Sequence, residues 1–479
     1  MASIHTNSVR EELEKIKEDF AKQSAAGEIS SNSAMMIKSL IMLLEMIFSI
    51  FLEKSTKKTN KNSSKPSSQT GTDKTSLGSK SRGKKENNFS ANNSRTVTTD
   101  ILLPVINCDS CGESLENTKC EGIERRTRID IVFEKTVENF DAEIKCCPNC
   151  SFTNKATFPR GICGKKQYGD GLKAFIINLL ISQMITLNRV QKMLSAMIGS
   201  CLSEATLLGY ILKLHVSLEQ WEKSSIEKIL NMPCIYVDET SMKVARKNHW
   251  IHVHAAGDIT VKLLHPKRGG EALKENNIIP RYGGTIVHDC WSTYFSFDNC
   301  KHGLCGSHLL RELTFIVDAH NYKWAKQLKK LLQDSCKTVT LSETKSLSKE
   351  QYASLQKRYR YILTRGEKEL PEVPKKSTSK GGKIAKSDAH NLWERLKKHE
   401  ESVLRFAKDP HVAFTNNRSE RDLRMAKVKQ KVSGCFRNKI YAEAYCRISS
   451  YLQSMANKGI NPLIAIQMAL NGEIYKTNN

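Results

Sequence analysis

The sequence predicts a multidomain α/β protein, and two short apolar runs are the first sign of its sheet. Residues 235–237 are followed by Asp238 and Glu239, and residues 285–288 by Asp289. Apolar runs of this length are typical of buried strands. Because two such strands can end at one edge of a sheet, we expect their carboxylates to converge there and to bind a hard divalent cation.

The order of the neighbouring elements predicts the type of sheet. Strand patterns at residues 234–238, 250–256 and 260–264 are followed by a helical pattern at 269–276 and a strand at 285–288. Three strands in a meander, then a helix and a further strand that ends in aspartate, are the order expected of a ribonuclease H-like core. This order of strands and helix is the second observation that predicts the fold class.

Composition limits the class of partner. The 479 residues are enough for several domains, and the formal net charge is +25, from 75 basic against 50 acidic residues. Such a surplus favours a polyanionic partner, with nucleic acid ahead of a membrane surface, although biased codon usage would also enrich lysine. The 15 cysteines are mostly scattered and residues 1–19 do not resemble a secretory signal. We expect thiols in a reducing cytosol rather than a disulfide framework.

Residues 1–53 are predicted to form a helical coiled-coil dimerisation arm. Apolar residues recur there at alternating steps of three and four, which is a coiled-coil seam. A membrane span at residues 34–52 is the alternative, but Lys38 and Glu45 interrupt that stretch. Residues 54–100 are rich in Lys, Ser, Thr and Asn, which predicts a flexible basic linker.

Residues 101–158 are predicted to be a zinc-binding module. Two Cys-x-x-Cys pairs frame it, and four thiolates can close a tetrahedral structural site; the four are Cys108, Cys111, Cys147 and Cys150. Cys146 is an alternative to Cys147, Cys120 is a spare thiol, and four free buried thiols are the bland alternative. An alternating pattern around residues 129–133 predicts a small strand pair between the two cysteine turns.

Residues 159–230 are predicted to be helical and to contact DNA. A helix at 189–198, a break at Gly199 and a helix at 203–214 capped by Ser203 are compatible with a helix-turn-helix. An ordinary helical hairpin has the same pattern. Both interpretations stay open at the level of sequence.

The remaining segments complete the predicted core. Residues 231–319 and 411–440 are assigned to it, 320–410 to a helical insertion inside it, and 441–479 to C-terminal helices. Asn416 or Asn417 would cap a helix that presents Glu420, and basic residues follow at helical spacing: Arg421, Arg424 and Lys427. These could neutralise a phosphate, although a solvated basic face is equally compatible with the spacing.

Asp238, Asp289 and Glu420 are the candidate metal ligands. Magnesium needs few carboxylates, and two ions about 3.5–4 Å apart can drive phosphodiester chemistry. Each residue has a structural alternative: a solvated strand end for Asp238, the cap of a helix at Trp291 for Asp289, and a capping box for Glu420. Glu239 should point to the opposite face of its strand and is a weaker candidate.

A further cluster of zinc-type residues follows the second acidic strand. Its members are Cys300, His302, Cys305 and His308. Their spacing is crowded, so a second zinc and a structural or DNA-orienting role both stay open.

The ordered motifs resemble the large transposase of the insertion-sequence 66 family. The motifs are Cys108-x-x-Cys111, Cys147-x-x-Cys150, Phe158-Pro-Arg-Gly161, Tyr236-Val-Asp-Glu-Thr240, His288-Asp-Cys-Trp291, Gly303-Leu-Cys-Gly-Ser-His308-Leu-Leu-Arg311 and Asn416-Asn-Arg-Ser-Glu-Arg421-Asp-Leu-Arg424. The resemblance spans about residues 1–475. It places an Asp-Asp-Glu catalytic triad on Asp238, Asp289 and Glu420, and structural zinc on the four cysteines. The Ser/Lys/Asn-rich linker departs from the glycine- and proline-rich stretch that is frequent in the family.

What the resemblance implies is a DNA transposase that binds the terminal inverted repeats of its element and cuts and joins DNA with Mg²⁺ or Mn²⁺. Its expected partners are element ends, target DNA, a second copy of the chain and accessory proteins of the element. It would act in the cytoplasm at the bacterial nucleoid, without a membrane partner. An inactive DNA-binding repressor and a structure-specific nuclease are the alternatives.

Overall fold

The computed structural model describes residues 6–59, 61–63, 100–128, 135–159, 161–199, 201–373 and 385–474. The chain forms two compact units, one of Met1–Lys85 with Leu218–Asn457 and one of Glu86–Ser217 with Lys458–Asn479. The predicted strand at residues 129–133 and residues 64–99 of the predicted linker lie outside the described residues. The two units are treated separately below.

Helices and strands are numbered in chain order. The helices are α1 (Thr6–Ala25), α2 (Ser31–Ser55), α3 (Asp170–Ile177), α4 (Leu187–Ile198), α5 (Glu204–Ser217), α6 (Glu219–Leu230), α7 (Gly270–Glu275), α8 (Gly306–His320), α9 (Lys323–Leu341), α10 (Lys349–Glu367), α11 (Asp388–Lys398), α12 (Glu400–Lys408), α13 (Asn417–Ser433), α14 (Lys439–Asn457) and α15 (Pro462–Leu470). The strands are β1 (Ile144–Cys146), β2 (Thr153–Lys155), β3 (Cys234–Val244), β4 (Lys247–Ala256), β5 (Ile259–His265), β6 (Thr285–His288) and β7 (Lys301–Leu304).

The first unit contains a five-stranded mixed sheet in the order β5-β4-β3-β6-β7. Strands β3, β4 and β5 form an antiparallel meander, while β6 and β7 run parallel to β3. A multidomain α/β architecture is thereby confirmed, and all four predicted strands of this region are present. The helix predicted before β6 is α7.

Alternate residues of the central strands enter two different apolar cores. Ile235, Val237 and Ile286 belong to a core closed by Tyr282 and Tyr294. Cys234 and Val287 face the other core, which the helices of the insertion supply. Because side chains alternate along a strand, Asp238 shares a face with Cys234 and Glu239 shares a face with Ile235.

Long helices cover both sides of the sheet. Helix α13 packs on β3, α14 and α6 pack on β5, and α12 packs on β7. The predicted insertion consists of α9 to α12, with α8 against α9. The predicted C-terminal pair divides, because α14 belongs to the sheet and α15 packs on α3 and α5 in the second unit.

The N-terminal arm is a helical hairpin that is attached to the first unit. Lys17 of α1 and Glu45 of α2 form an ion pair of 2.7 Å, and α2 packs on α8. By length and composition α2 could cross a membrane, yet its last turn is buried in protein at Leu52 and Glu53. Contacts continue past the predicted boundary at residue 53, since Asn62 donates a hydrogen bond of 2.9 Å to Asp318.

The second unit contains the predicted helix–turn–helix elements. Helix α4 ends at Gly199, whose φ of 61° is left-handed. Helix α5 follows, and the hydroxyl of Ser203 accepts the N–H of Thr206 at 3.1 Å. The predicted break and cap are confirmed. Whether the pair reads DNA stays a prediction.

Candidate active site

Asp238 lies in the middle of β3 rather than at its end, so the predicted strand end is wrong. Pairing with β4 continues through Asp238 opposite Val253 and on to Val244. Pairing with β6 stops earlier, at Tyr236 opposite Val287. Asp238 therefore lies beyond the last residue of β3 that pairs with β6, while β3 still pairs with β4 on its other side.

Asp289 directly follows β6, as the sequence predicts. Asp238 and Asp289 each lie two residues beyond the last parallel pair, so continuing that register sets them side by side. One carboxylate oxygen of Asp289 accepts the N–H of Trp291 at 3.1 Å. This bond resembles the cap that was the alternative role of Asp289, but the next helix, a short 3-10 helix, begins only at Tyr294. Asp289 also lies next to Asp238 in the continued register.

Glu420 lies in the first turn of α13, which packs on β3. The residue before this helix, Asn416, does not use its side chain as a cap. Its amide donates to the carbonyl of Val237 at 2.8 Å, and its own N–H points to the sulfur of Cys305 at 3.1 Å. Asn416 therefore fixes the start of α13 beside the residue that precedes Asp238.

The electrostatics of Asp238 reflect its burial and the neighbouring acids. Burial raises the pKa of Asp238 well above its ordinary value, and the charges of Glu239, Asp289 and Glu420 raise it further. A cation would relieve this repulsion, and carboxylate oxygens are the donors that Mg²⁺ and Mn²⁺ prefer. The residues therefore fit a hard divalent ion, although their oxygens do not all lie within 4.8 Å of one another in the described chain.

Glu239 is engaged in a network of its own. Arg268 donates to Oε1 through Nε at 2.9 Å, and Tyr294 donates to Oε2 at 2.7 Å. The Arg268 guanidinium lies 4.5 Å from the ring centre of Trp291 and 5.1 Å from that of Trp250. The expectation that Glu239 is a weaker ligand candidate agrees with this arrangement, because both of its oxygens are already hydrogen-bonded.

The three basic residues after Glu420 divide into two groups. Arg421 and Arg424 are exposed. Lys427 is half-buried against β3 and donates to the hydroxyl of Ser241 at 3.2 Å. Burial lowers the pKa of Lys427, and the charge of Asp238 opposes that effect. The arginines can reach a phosphate in solvent, whereas Lys427 faces the sheet.

The two Cys-x-x-Cys turns have the same backbone hydrogen bonds. Cys108 N–H donates to Glu113 and Gly112 N–H to Cys108; correspondingly, Cys147 N–H donates to Phe152 and Ser151 N–H to Cys147, all at 2.9 Å. Backbone N–H groups within each turn lower the pKa of its first cysteine, Cys108 or Cys147. In the described chain no three of the four predicted ligands lie within 4.8 Å of one another.

The structure separates the second zinc-type cluster into two halves. Cys300 donates to the carbonyl of Phe297 at 3.6 Å, and His302 lies 3.2 Å from His288. Cys305 and His308, in contrast, face Glu420. Among the described residues these three form the group whose ligand atoms all lie within 4.8 Å of one another.

Two residues of this site, Arg268 and Tyr294, were not singled out from the sequence. They bind Glu239 from 29 and 55 positions away, so no local pattern marks them. Asn416 was expected as a helix cap, but its bond to Val237 spans 179 positions. For Asn416 the only signal was its place before a capped helix, and that pattern predicts a different bond from the one observed.

A family model matches most of the first unit and part of the second. The model of the family described as "Transposase IS66 family" covers residues 165–444, which is more than half of the chain and includes the sheet, the insertion and α13. No curated protein matches the chain. The strands that carry the two aspartates and the helix that carries Glu420 all lie inside the matched region, and the chain belongs to the IS66 family of transposases.

Proposed function

We propose that this transposase binds the ends of its element and catalyses metal-dependent cleavage and transfer of DNA strands. Asp238, Asp289 and Glu420 would be its catalytic carboxylates. The observation that carries the proposal is the placement of Asp238 and Asp289 two residues beyond the last parallel pair of β3 and β6, with Glu420 on the helix that packs on β3. Burial raises the pKa of Asp238, and the charges of the neighbouring acids raise it further. Groups that disfavour one another's charge are typical of sites that bind a cation or move a proton.

A divalent metal requirement follows from the family. The three carboxylates would hold the ion, and Mg²⁺ or Mn²⁺ suits their oxygen atoms. When bound, such ions neutralise charge that develops on the phosphate and on the attacking and leaving oxygens. The Glu239–Arg268–Tyr294 network would keep β3 rigid beside Asp238, and Asn416 would hold α13 against it.

The order β5-β4-β3-β6-β7 supports a ribonuclease H-like core for this chemistry. The antiparallel meander and the two added parallel strands follow the predicted order of elements, with the helical insertion between β7 and α13. Arg421 and Arg424, exposed on the first turns of α13, would bind backbone phosphates next to the carboxylates.

The cysteine turns would form the structural zinc site. Matching hydrogen bonds and lowered pKa values at Cys108 and Cys147 prepare two thiolates, and Cys111 and Cys150 would complete the tetrahedron. Cys146 is a poorer ligand than Cys147, because its thiol donates to the carbonyl of Ser151 at 3.4 Å.

The N-terminal arm would associate with a second copy of the chain. Apolar residues of α2 stay exposed in the single chain, among them Leu40, Leu44 and Ile47. They recur at steps of three and four, so a second arm could cover them as a coiled coil. The family suggests a protein that acts on DNA in the cytoplasm. There, without a second arm, the apolar face of α2 would be exposed to solvent.

Cleavage of linear DNA that carries the element ends tests the proposal. Asp238→Asn, Asp289→Asn and Glu420→Gln should each lower cleavage by about 10³-fold, since a lost metal ligand removes several kcal/mol of transition-state stabilisation. Asp298→Asn changes an exposed carboxylate near the sheet and should keep full activity. Cleavage that survives all three substitutions would show that the triad assignment is wrong.

The same experiment separates the alternatives. A repressor would bind end DNA in every variant and cut in none, including the unsubstituted chain. A structure-specific nuclease would cut branched DNA without regard to end sequence. End-dependent cutting by the unsubstituted chain, with DNA binding retained in the three variants, is the result expected of a transposase.

A further inference from the structure

A second metal-type cluster shares Glu420 with the proposed catalytic site. Cys305 Sγ lies 3.9 Å from Glu420 Oε1, and His308 Nδ1 lies 3.6 Å from the same oxygen. The three ligand atoms all lie within 4.8 Å of one another. Sulfur, nitrogen and oxygen together are a donor set for zinc and similar borderline ions, and are unsuited to Mg²⁺.

The distances are close to those of a tetrahedral zinc site. Zinc–ligand bonds of about 2.0–2.3 Å at tetrahedral angles put sulfur and oxygen roughly 3.6 Å apart, and nitrogen and oxygen roughly 3.4 Å apart. The observed separations exceed these by a few tenths of an ångström. Cys305 is the N-cap of α8 and His308 lies in the first turn of that helix, so small rotations of the side chains would close that difference.

The surroundings of both side chains suit a metal ligand. Cys305 is buried at the N-terminal end of α8, and burial raises the pKa of its thiol; backbone N–H groups of Asn416, His308 and Ser307 face the sulfur and oppose that effect. Such N–H groups stabilise a thiolate. Nδ1 of His308 is buried and, within the described part of the chain, has no hydrogen-bond partner; 3.6 Å to Glu420 is too long for one.

We propose that Cys305, His308 and Glu420 form a zinc site that switches the transposase off. Binding would release the thiol proton of Cys305 to solvent and leave a fourth coordination position for water. Zinc held there would keep Glu420 from the ion that Asp238 and Asp289 bind. The inhibitory part rests on the proposed catalytic role of Glu420, whereas the site itself does not.

Metal binding by the full chain tests the site without any assay of activity. Titration with Co²⁺ reports thiolate ligands through a sulfur-to-metal charge-transfer band, and the cysteine turns contribute equally in every variant. Cys305→Ser should bind one equivalent fewer than the unsubstituted chain and show a weaker band. His308→Gln, which keeps the thiol, should lose the same equivalent. Cys336→Ser on α9 is the matched control for a half-buried thiol and should bind as the unsubstituted chain does.

Inhibition is measured separately. With excess Mg²⁺, added Zn²⁺ should stop end cleavage by the unsubstituted chain, and Cys305→Ser should need at least about 10-fold more zinc for the same inhibition. Equal metal stoichiometry and equal bands in Cys305→Ser, His308→Gln and the unsubstituted chain would overturn the site. Loss of an equivalent without any change in zinc sensitivity would overturn the switch alone. Failure of the proposed function would show instead as a chain that never cuts, with metal binding unaffected.

Discussion

The proposed metal sites of the sheet and of the cysteine turns are built in opposite ways. In the sheet, acids are brought together by long-range packing, and burial with like charges raises the pKa of Asp238. In the turns, local backbone N–H groups lower the pKa of Cys108 and Cys147, and the surrounding residues are mostly exposed. Repulsion among the acids therefore opposes folding of the sheet, which its apolar core must stabilise. The cysteine module has few buried residues, so bound zinc would supply most of its stability.

Removal of metal is expected to have the largest effect, because it should unfold the cysteine module and leave the sheet folded. The cysteine module, residues 101–158, has no buried apolar side chain among its described residues, so its order should depend on zinc. Structural zinc supplies about 10 kcal/mol or more to folding in small modules. A strong chelator should make these residues exchange amide hydrogens freely while β3, β4 and β5 stay protected.

Single cysteine substitutions identify the ligands in that module. Cys147→Ser should reproduce the chelator effect, and Cys146→Ser or Cys120→Ser should leave zinc content and protection unchanged, because their thiols donate to backbone carbonyls. Zinc loss in Cys146→Ser with retention in Cys147→Ser would reverse the assignment of those neighbours.

Asn416→Ala should have the next largest effect, and on the sheet site alone. The amide spans from α13 to the carbonyl of Val237 in a buried position, and losing a buried hydrogen bond of this kind costs about 1–3 kcal/mol. Urea unfolding of the first unit measures this cost. Asn417→Ala, one residue on and exposed, is the control and should change stability little. Equal stability of both variants would show that Asn416 does not position the helix.

Much of the fold was predictable because its signals are local. The strands, the break at Gly199 and the cap at Ser203 follow from periodicity and turn chemistry. The extension of β3 past Asp238 was also marked, since Thr240, Met242 and Val244 alternate with more exposed residues. Because Asp238 and Glu239 follow a short apolar run, they resemble a strand end and obscure that alternation. The contacts of Arg268, Tyr294 and Asn416 could not be predicted, because they join segments that only the folded sheet brings together.

Asp238→Asn should stabilise the metal-free sheet, opposite in sign to the loss of a cysteine ligand such as Cys147→Ser. A carboxyl whose pKa is raised by folding carries no penalty below its ordinary pKa of about 4, and the penalty grows as pH rises through the folded value. The amide removes it, so the free energy of unfolding should rise by roughly 1–2 kcal/mol at neutral pH.

Stability measured as a function of pH and of Mg²⁺ shows whether the gain comes from the charge of Asp238. The gain of Asp238→Asn should shrink as the pH falls through about 4 and vanish at about pH 3, where Asp238 of the unsubstituted chain is protonated in both states. Mg²⁺ should stabilise the unsubstituted chain more than the variant. A variant that is less stable at neutral pH, or that gains as much from Mg²⁺, would contradict repulsion among Asp238, Glu239, Asp289 and Glu420.

The smallest expected effect compares the two cysteine turns with each other. Each has a left-handed residue after its second cysteine: Gly112 at φ 78° in one turn and Ser151 at φ 55° in the other. A side chain in this conformation costs about 1 kcal/mol relative to glycine. Ser151→Gly should therefore tighten zinc binding about fivefold or less, and Gly112→Ser should weaken it by a similar factor, as measured by competition with a chelator. If both variants changed zinc affinity in the same direction, the two turns would not share one geometry. The matching hydrogen bonds of the two turns would then not predict how each turn binds zinc.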